Sequence, residues 1–127
     1  MTIREIKKNK RDFLPLLLLA DEQESMIERY IHRGHMFILE EDDTLLGLIV
    51  VTDEGKGILE IKNLAVRKEA QRKGYGQQLI QFIKEYFKND YSILQIGTGD
   101  SPLTIPFYEK CGFERFKVLE NFFFRTL

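Results

Sequence analysis

The residues best suited to chemistry lie in one stretch, Val66 to Gly76, which reads VRKEAQRKGYG. Gly74 and Gly76 stand where a strand-like segment gives way to a helical pattern. Glycine there permits close backbone approach and dihedrals that other residues avoid. The first N–H groups of a helix lack partners within it, and the helix start carries roughly half a positive charge, so the position suits an anion. Arg67, Lys68, Arg72 and Lys73 add positive charge. A pyrophosphate fits this description. So does a plain basic turn, because an isolated G-x-G is a weak signal. Two commoner phosphate motifs are excluded: the dinucleotide pattern needs a small residue where Leu79 stands, and the phosphate-loop pattern needs Ser or Thr where Gly57 follows Gly55-Lys56.

The elements that hold this loop follow from periodicity. Thr2 to Lys7 predicts a strand, followed by a basic turn at Lys8 to Arg11. Leu14, Leu17 and Leu18, then Met26, Ile27, Tyr30 and Ile31, recur at helical spacing, with a break at Asp21 to Glu24. Met36 to Glu40 and Leu45 to Thr52 predict a hairpin, and a turn at Asp53 to Gly57 leads into a third strand, Ile58 to Val66. Beyond the loop, Leu79, Phe82, Ile83, Tyr86 and Phe87 form the apolar stripe of a helix that ends at Asn89 and Asp90. Ser92 to Ile96 reads as a buried strand. Gly97 to Asp100 turns into a short helix bounded by Pro102 and Gly112, and Phe113 to Thr126 is strand-like. This order predicts a mixed sheet with helices on both faces.

Composition narrows the function. A chain of 127 residues suits one domain, 1–127. No apolar run of about 18 residues occurs, and Phe13 to Ala20 contains Pro15 and lacks a cleavage site, so a cytoplasmic protein without membrane contact is expected. The single Cys111 cannot form an internal disulfide, and with only His32 and His35 beside it no metal site is expected. The net charge of −1 gives no reason to expect nucleic acid, and the Lys7 to Arg11 cluster is too small to change that. Residues 1–63 carry 9 basic and 13 acidic side chains, and residues 64–127 carry 10 and 7, so the second half suits an anionic ligand better.

In Gln71-Arg72-Lys73-Gly74-Tyr75-Gly76, preceded by Asn63-Leu64-Ala65-Val66 and followed by Phe107-Tyr108-Glu109-Lys110-Cys111-Gly112-Phe113, the sequence resembles the GCN5-related N-acetyltransferase (GNAT) family. The resemblance extends to element order over nearly the whole chain. It implies an α/β (α+β) fold with a mixed, mostly antiparallel central sheet and acetyl-CoA as cosubstrate, without metal. It implies that Leu64, Ala65 and Val66 bind the pantetheine arm through their backbone. Gln71, Arg72, Lys73, Gly74, Tyr75 and Gly76 would wrap the pyrophosphate, and Tyr108 would lie near the acetyl sulfur. One departure is Asp100, where members commonly carry asparagine.

An alkylamine with a pKa of roughly 10.4 must shed a proton before it attacks a thioester. Glu60, upstream of the coenzyme-binding residues on a strand where the family often places an acidic base, is the candidate for that role. An ion pair with Lys62 on an exposed sheet face explains both residues equally well. Tyr108, a phenol near pKa 10, is the candidate acid for a departing thiolate near 8.5, and packing is its alternative role. Cys111 reads as a buried small residue, and the two histidines as structural. Asp21, Glu22, Glu24 and Glu28 lie in the region that borders the acceptor pocket by resemblance, and they favour a cationic small-molecule or peptide amine. A non-catalytic acyl-CoA sensor on the same fold is the alternative. A final strand is either Phe122 to Thr126 or missing, and a missing strand would leave an edge for a homodimer partner to cover.

Overall fold

The computed structural model describes residues 1–97, 104–118 and 121–126. Among these, seven strands form one sheet in the order β1-β2-β3-β4-β5-β7-β6. β1 (Thr2–Ile6), β2 (His35–Glu41), β3 (Thr44–Asp53) and β4 (Ile58–Val66) run antiparallel to their neighbours. β5 (Ile93–Gly97) lies parallel to β4, from Ile58↔Ile93 to Ile61↔Ile96. β7 (Asn121–Thr126) inserts antiparallel between β5 and β6 (Glu114–Val118). The final strand is therefore present. The edge of β5 is taken by β7, so no missing strand leaves that edge for a partner chain to cover. Asp100 lies outside the described residues.

Helices cover both faces. α1 (Leu14–Ala20), which opens with Pro15 in its first turn, and α2 (Glu24–Ile31) pack Leu16, Leu17, Ile27, Tyr30 and Ile31 against Met36, Ile38, Leu48, Val50 and Ala65. The predicted basic turn at Lys8 to Arg11 is instead partly a 3-10 turn over Lys10–Phe13, entered through Asn9 at φ 57°. On the other face α3 (Tyr75–Tyr86) buries Leu79, Ile80 and Ile83 against Phe37, Leu39, Ile49, Val51, Leu59 and Ile61, and Phe87, its C-cap, joins the same core. α4 (Thr104–Lys110) adds Phe107 and Tyr108 to the margin of that core.

The apolar stripe of α3 differs from the predicted one. Tyr86 is 54% exposed and lies flat on Phe82, with ring centroids 5.5 Å apart, while Ile80 takes the buried place. The helix turns by about 100° per residue, so the buried face centres on Ile83 with Leu79 and Ile80 on either side of it, and Tyr86 falls beyond Leu79 on its flank. Ile83→Ala should lower the unfolding free energy by about 2–5 kcal/mol, as truncation of a fully buried aliphatic side chain does. Urea denaturation would measure it, and an equal loss in Tyr86→Ala would contradict this placement.

Candidate active site

The site begins with an irregularity in β4. Val50 pairs with Asn63 and Val51 with Ile61, so Lys62 has no partner on β3. Pairing with β5 ends one residue earlier, at Ile61↔Ile96. An extra residue bends a strand and increases its twist, and here it coincides with the point where β4 and β5 part. From Asn63 to Val66, β4 pairs with β3 alone among the described residues. In antiparallel pairing every second residue turns its N–H and C=O away from the partner, so this segment turns backbone groups toward the widening, and the Val66 carbonyl among its residues is met by Gln71.

The loop after β4 is tied down at several points. The Arg67 N–H donates to the Leu46 carbonyl at 2.9 Å, and Leu46 is itself the extra residue where the pairing of β2 with β3 shifts. Ala70 N–H donates to Arg67 O, and the Gln71 side-chain Nε2 donates to Val66 O at 2.9 Å. The Gln71 side chain therefore closes the end of β4. Arg72 at φ 66° and Gly74 at φ 85° bring the chain round into α3. The first helical bond runs from Gln78 N–H to Gly74 O at 3.0 Å, so the N–H groups of Tyr75, Gly76 and Gln77 precede the intrahelical ladder.

The two glycines serve different ends. A Cβ on Gly74 would meet nothing within 4 Å, so space lies open there and the left-handed φ is the reason for glycine. A Cβ on Gly76 would stand 3.3 Å from Phe107 Cζ and 3.9 Å from Leu64 Cδ2. Leu64 on β4, Gly76 on α3 and Phe107 on α4 thus converge at one point. Arg72 and Lys73 are exposed beside it. The open space, the unsatisfied N–H groups and the adjacent cations suit a pyrophosphate-bearing ligand.

Glu60 lies across the sheet from α3, and its face is not an exposed one: the residue is only 8% accessible. Its Oε1 accepts from Gln95 Nε2 at 2.6 Å, and Gln95 Oε1 in turn accepts from Arg125 Nε at 2.8 Å. Its Oε2 is ion-paired with Lys62 Nζ, whose side chain is 25% exposed. Thr52, Glu60, Gln95, Arg125 and Glu114 are register partners on β3, β4, β5, β7 and β6, so they form one polar row across five strands. Thr52 Oγ1 donates to Glu54 Oε2 at 2.7 Å. Burial pushes the Glu54 carboxyl up, but the Thr52 hydroxyl, Arg33 and Lys62 outweigh it and hold the group below its ordinary range.

Tyr108 lies in an aromatic cluster, 5.3 Å from the Phe107 ring and 5.9 Å from that of Phe113. Burial, with a smaller contribution from Cys111, pushes its phenol up to about 12. Cys111 is half-buried rather than buried, and burial raises its thiol although Lys84 and Lys110 oppose this. Lys84 Nζ donates to the Cys111 carbonyl at 2.7 Å and so fastens α4 to α3. His32 pairs with Glu28, and His35 Nδ1 lies 3.0 Å from Glu5 Oε2, so both histidines have structural partners.

The acidic residues of α2 are less available than their sequence suggests. Glu24 and Glu28 both pair with Arg11, and Asp21 accepts from the Tyr30 hydroxyl at 3.2 Å and from Gln23 N–H. Three polar residues that the sequence reading did not select belong to the site's surroundings. Gln95 and Arg125 complete the row at Glu60. Asn63 Nδ2 donates at 3.0 Å to both Leu17 O and Tyr30 Oη, while its buried Oδ1 is unpartnered. The signal available for Gln95 and Asn63 was a polar residue inside an otherwise apolar strand.

Comparison with known proteins agrees with this geometry. The family described as "Acetyltransferase (GNAT) domain" matches residues 32–115. YvbK of Bacillus subtilis (strain 168), an uncharacterized N-acetyltransferase, is 35% identical over 112 residues, which cover 87% of this chain and 72% of that one. A GNAT acetyltransferase from Elizabethkingia anophelis with acetyl-CoA bound superposes with a TM-score of 0.86 at 26% identity, covering 98% of this chain and 96% of that one. An acetyltransferase of Bacillus subtilis in complex with CoA gives 0.83 at 27%, covering 97% and 94%. The chain belongs to the GNAT acetyltransferase family, and its sheet and helices are the fold expected from the resemblance.

The raised phenols make a prediction about alkaline stability. Tyr30, buried and linked to Asp21, is also pushed up to about 12. A folded pKa above the unfolded value near 10 means that the native state holds the proton longer. Stability should therefore be intact below pH 10 and fall as pH rises toward 12, by up to roughly 1.4 kcal/mol per unit for each group. Urea midpoints across that window would measure the slope, and Tyr108→Phe should remove the Tyr108 contribution and leave that of Tyr30.

Proposed function

We propose that residues 1–127 act as one domain that transfers an acetyl group from acetyl-CoA to a primary amine. The observation that carries this reading is the widening between β4 and β5 beside the start of α3, in a fold whose Elizabethkingia neighbour has acetyl-CoA bound. The backbone of Leu64, Ala65 and Val66 would hydrogen-bond the amides of the pantetheine arm, much as an added strand does. The N–H groups from Arg72 to Gly76, with the side chains of Arg72 and Lys73, would hold the pyrophosphate. Gln71 contributes by fixing the loop through Val66.

Glu60 serves as general base. It takes a proton from the acceptor's ammonium group, directly or through a water, and leaves a free amine to attack the thioester carbonyl. Gln95 fixes the rotation of the Glu60 carboxylate, and Arg125 fixes Gln95. Tyr108 gives its proton to the departing sulfur. A phenol near 12 stays protonated at neutral pH, and the same apolar surroundings that raise it also raise the Cys111 thiol. A thiolate leaving in that environment is correspondingly more basic, which narrows the mismatch between donor and acceptor.

Calorimetric titration with acetyl-CoA tests the binding half. Micromolar affinity is expected, and Gly74→Glu, which sets a carboxylate beside the pyrophosphate, should abolish it; no binding by the parent chain would refute the reading. Thiol release with a panel of amines tests the chemistry. Glu60→Gln and Tyr108→Phe should each lower kcat by about 10²–10⁴. Binding without thiol release from any amine would favour the sensor instead.

A further inference from the structure

The proposed base is already in contact with an ammonium group. Lys62 Nζ pairs with Glu60 Oε2, so the chain's own lysine occupies the position that an acceptor's ammonium needs for deprotonation. The contact is held from several sides. Gln95 engages the other carboxylate oxygen, which leaves Oε2 directed at Lys62. The Glu54 carboxylate, kept charged by Thr52, Arg33 and Lys62, attracts the same ammonium from the neighbouring strand. Lys62 is also the residue of β4 with no register partner on either β3 or β5, next to the segment assigned to the pantetheine arm. Its side chain remains partly exposed, so its amine is not sealed off.

We propose that Lys62 is an internal acceptor: in the absence of an external amine the protein acetylates its own Lys62. This inference rests on Glu60 being the base. Glu60 takes one proton from the Lys62 ammonium, and the free Nζ lone pair forms an amide bond to the acetyl carbonyl carbon as the C–S bond breaks. The sulfur leaves with the bonding pair and takes a proton from Tyr108. The adduct nitrogen gives up its second proton, which returns to Tyr108 by way of solvent, and Glu60 releases the proton it gained. The products are neutral Nε-acetyl-lysine and coenzyme A. The modification removes a positive charge from the polar row and releases Oε2 of Glu60. Tethering also gives the internal reaction an advantage in effective concentration over any dilute amine.

The full chain incubated with isotopically labelled acetyl-CoA and no added amine, followed by intact-mass and peptide mass spectrometry, tests this. The expected result is one acetyl group per chain, on Lys62, at a first-order rate unchanged when the protein is diluted tenfold. Lys62→Arg should carry no label, and Glu60→Gln should label at least about tenfold more slowly. Label spread over exposed Lys7, Lys8 and Lys56 at the rate of Lys62 would mark solution chemistry and overturn the proposal. If Lys62 stays unlabelled while an added amine is acetylated in a Glu60-dependent manner, the internal acceptor is refuted and the base assignment stands. If Lys62 labels equally fast in Glu60→Gln, the base assignment fails and the proposed route fails with it.

Discussion

The one unpaired residue in β4 is the constraint on which the rest depends. Parallel strands in register would keep pairing to their ends. Here the extra residue at Lys62 rotates the strand just where β5 would have followed it, and the two strands separate. Among the described residues the separation leaves Asn63 to Val66 without a strand partner on one side, and inside a protein backbone groups are costly unless a side chain, water or a ligand meets them. An extended ligand with amides of its own would supply hydrogen bonds along that side. The same bend carries the end of β4 toward the start of α3, where Gly76 admits Phe107 and Leu64 to close contact. The candidate groove and the candidate anion site therefore arise from one local departure from regular pairing.

The bend also separates two chemical environments. On the α3 side the sheet is lined by Leu59, Ile61, Leu94 and Ile96, an apolar floor. On the other side β4 and β5 carry Glu60 and Gln95, in register with Arg125 of β7. A carboxylate as buried as Glu60 is tolerated only where hydrogen bonds and countercharge compensate its lost hydration. Gln95 and Lys62 supply these, one on each oxygen. Compensation of this kind also orients the group, because two fixed partners leave the carboxylate little freedom to rotate.

Sequence carried the local features well and the non-local ones poorly. The span of β4, the break between α1 and α2 and the start of α3 were legible because each is written in neighbouring residues: an apolar run, a polar interruption, a pair of glycines. The GNAT resemblance rested on the same short-range patterns. The environment of Glu60 was misread because alternation along one strand tells which residues share a face, not whether that face is covered. Gln95 and Arg125 reach Glu60 through strand order, and the insertion of β7 between β5 and β6 is a long-range pairing. The irregularity at Lys62 left no trace either, since no glycine or turn residue marks it. Glu24 and Glu28 looked like a free acidic surface because Arg11, which neutralises them, precedes them by a whole helix.

Asn63 links these two levels. Its amide hydrogens go to the Leu17 carbonyl in α1 and the Tyr30 hydroxyl in α2, so a single side chain fastens both helices to β4 one residue after the irregularity. A hydrocarbon of the same shape would remove both bonds and leave the Leu17 carbonyl with the Asp21 N–H alone and the Tyr30 hydroxyl with its bond to Asp21 alone. Asparagine meets them at the expense of its own orphaned Oδ1. The arrangement joins α1 and α2, through one side chain, to the segment of β4 that has parted from β5.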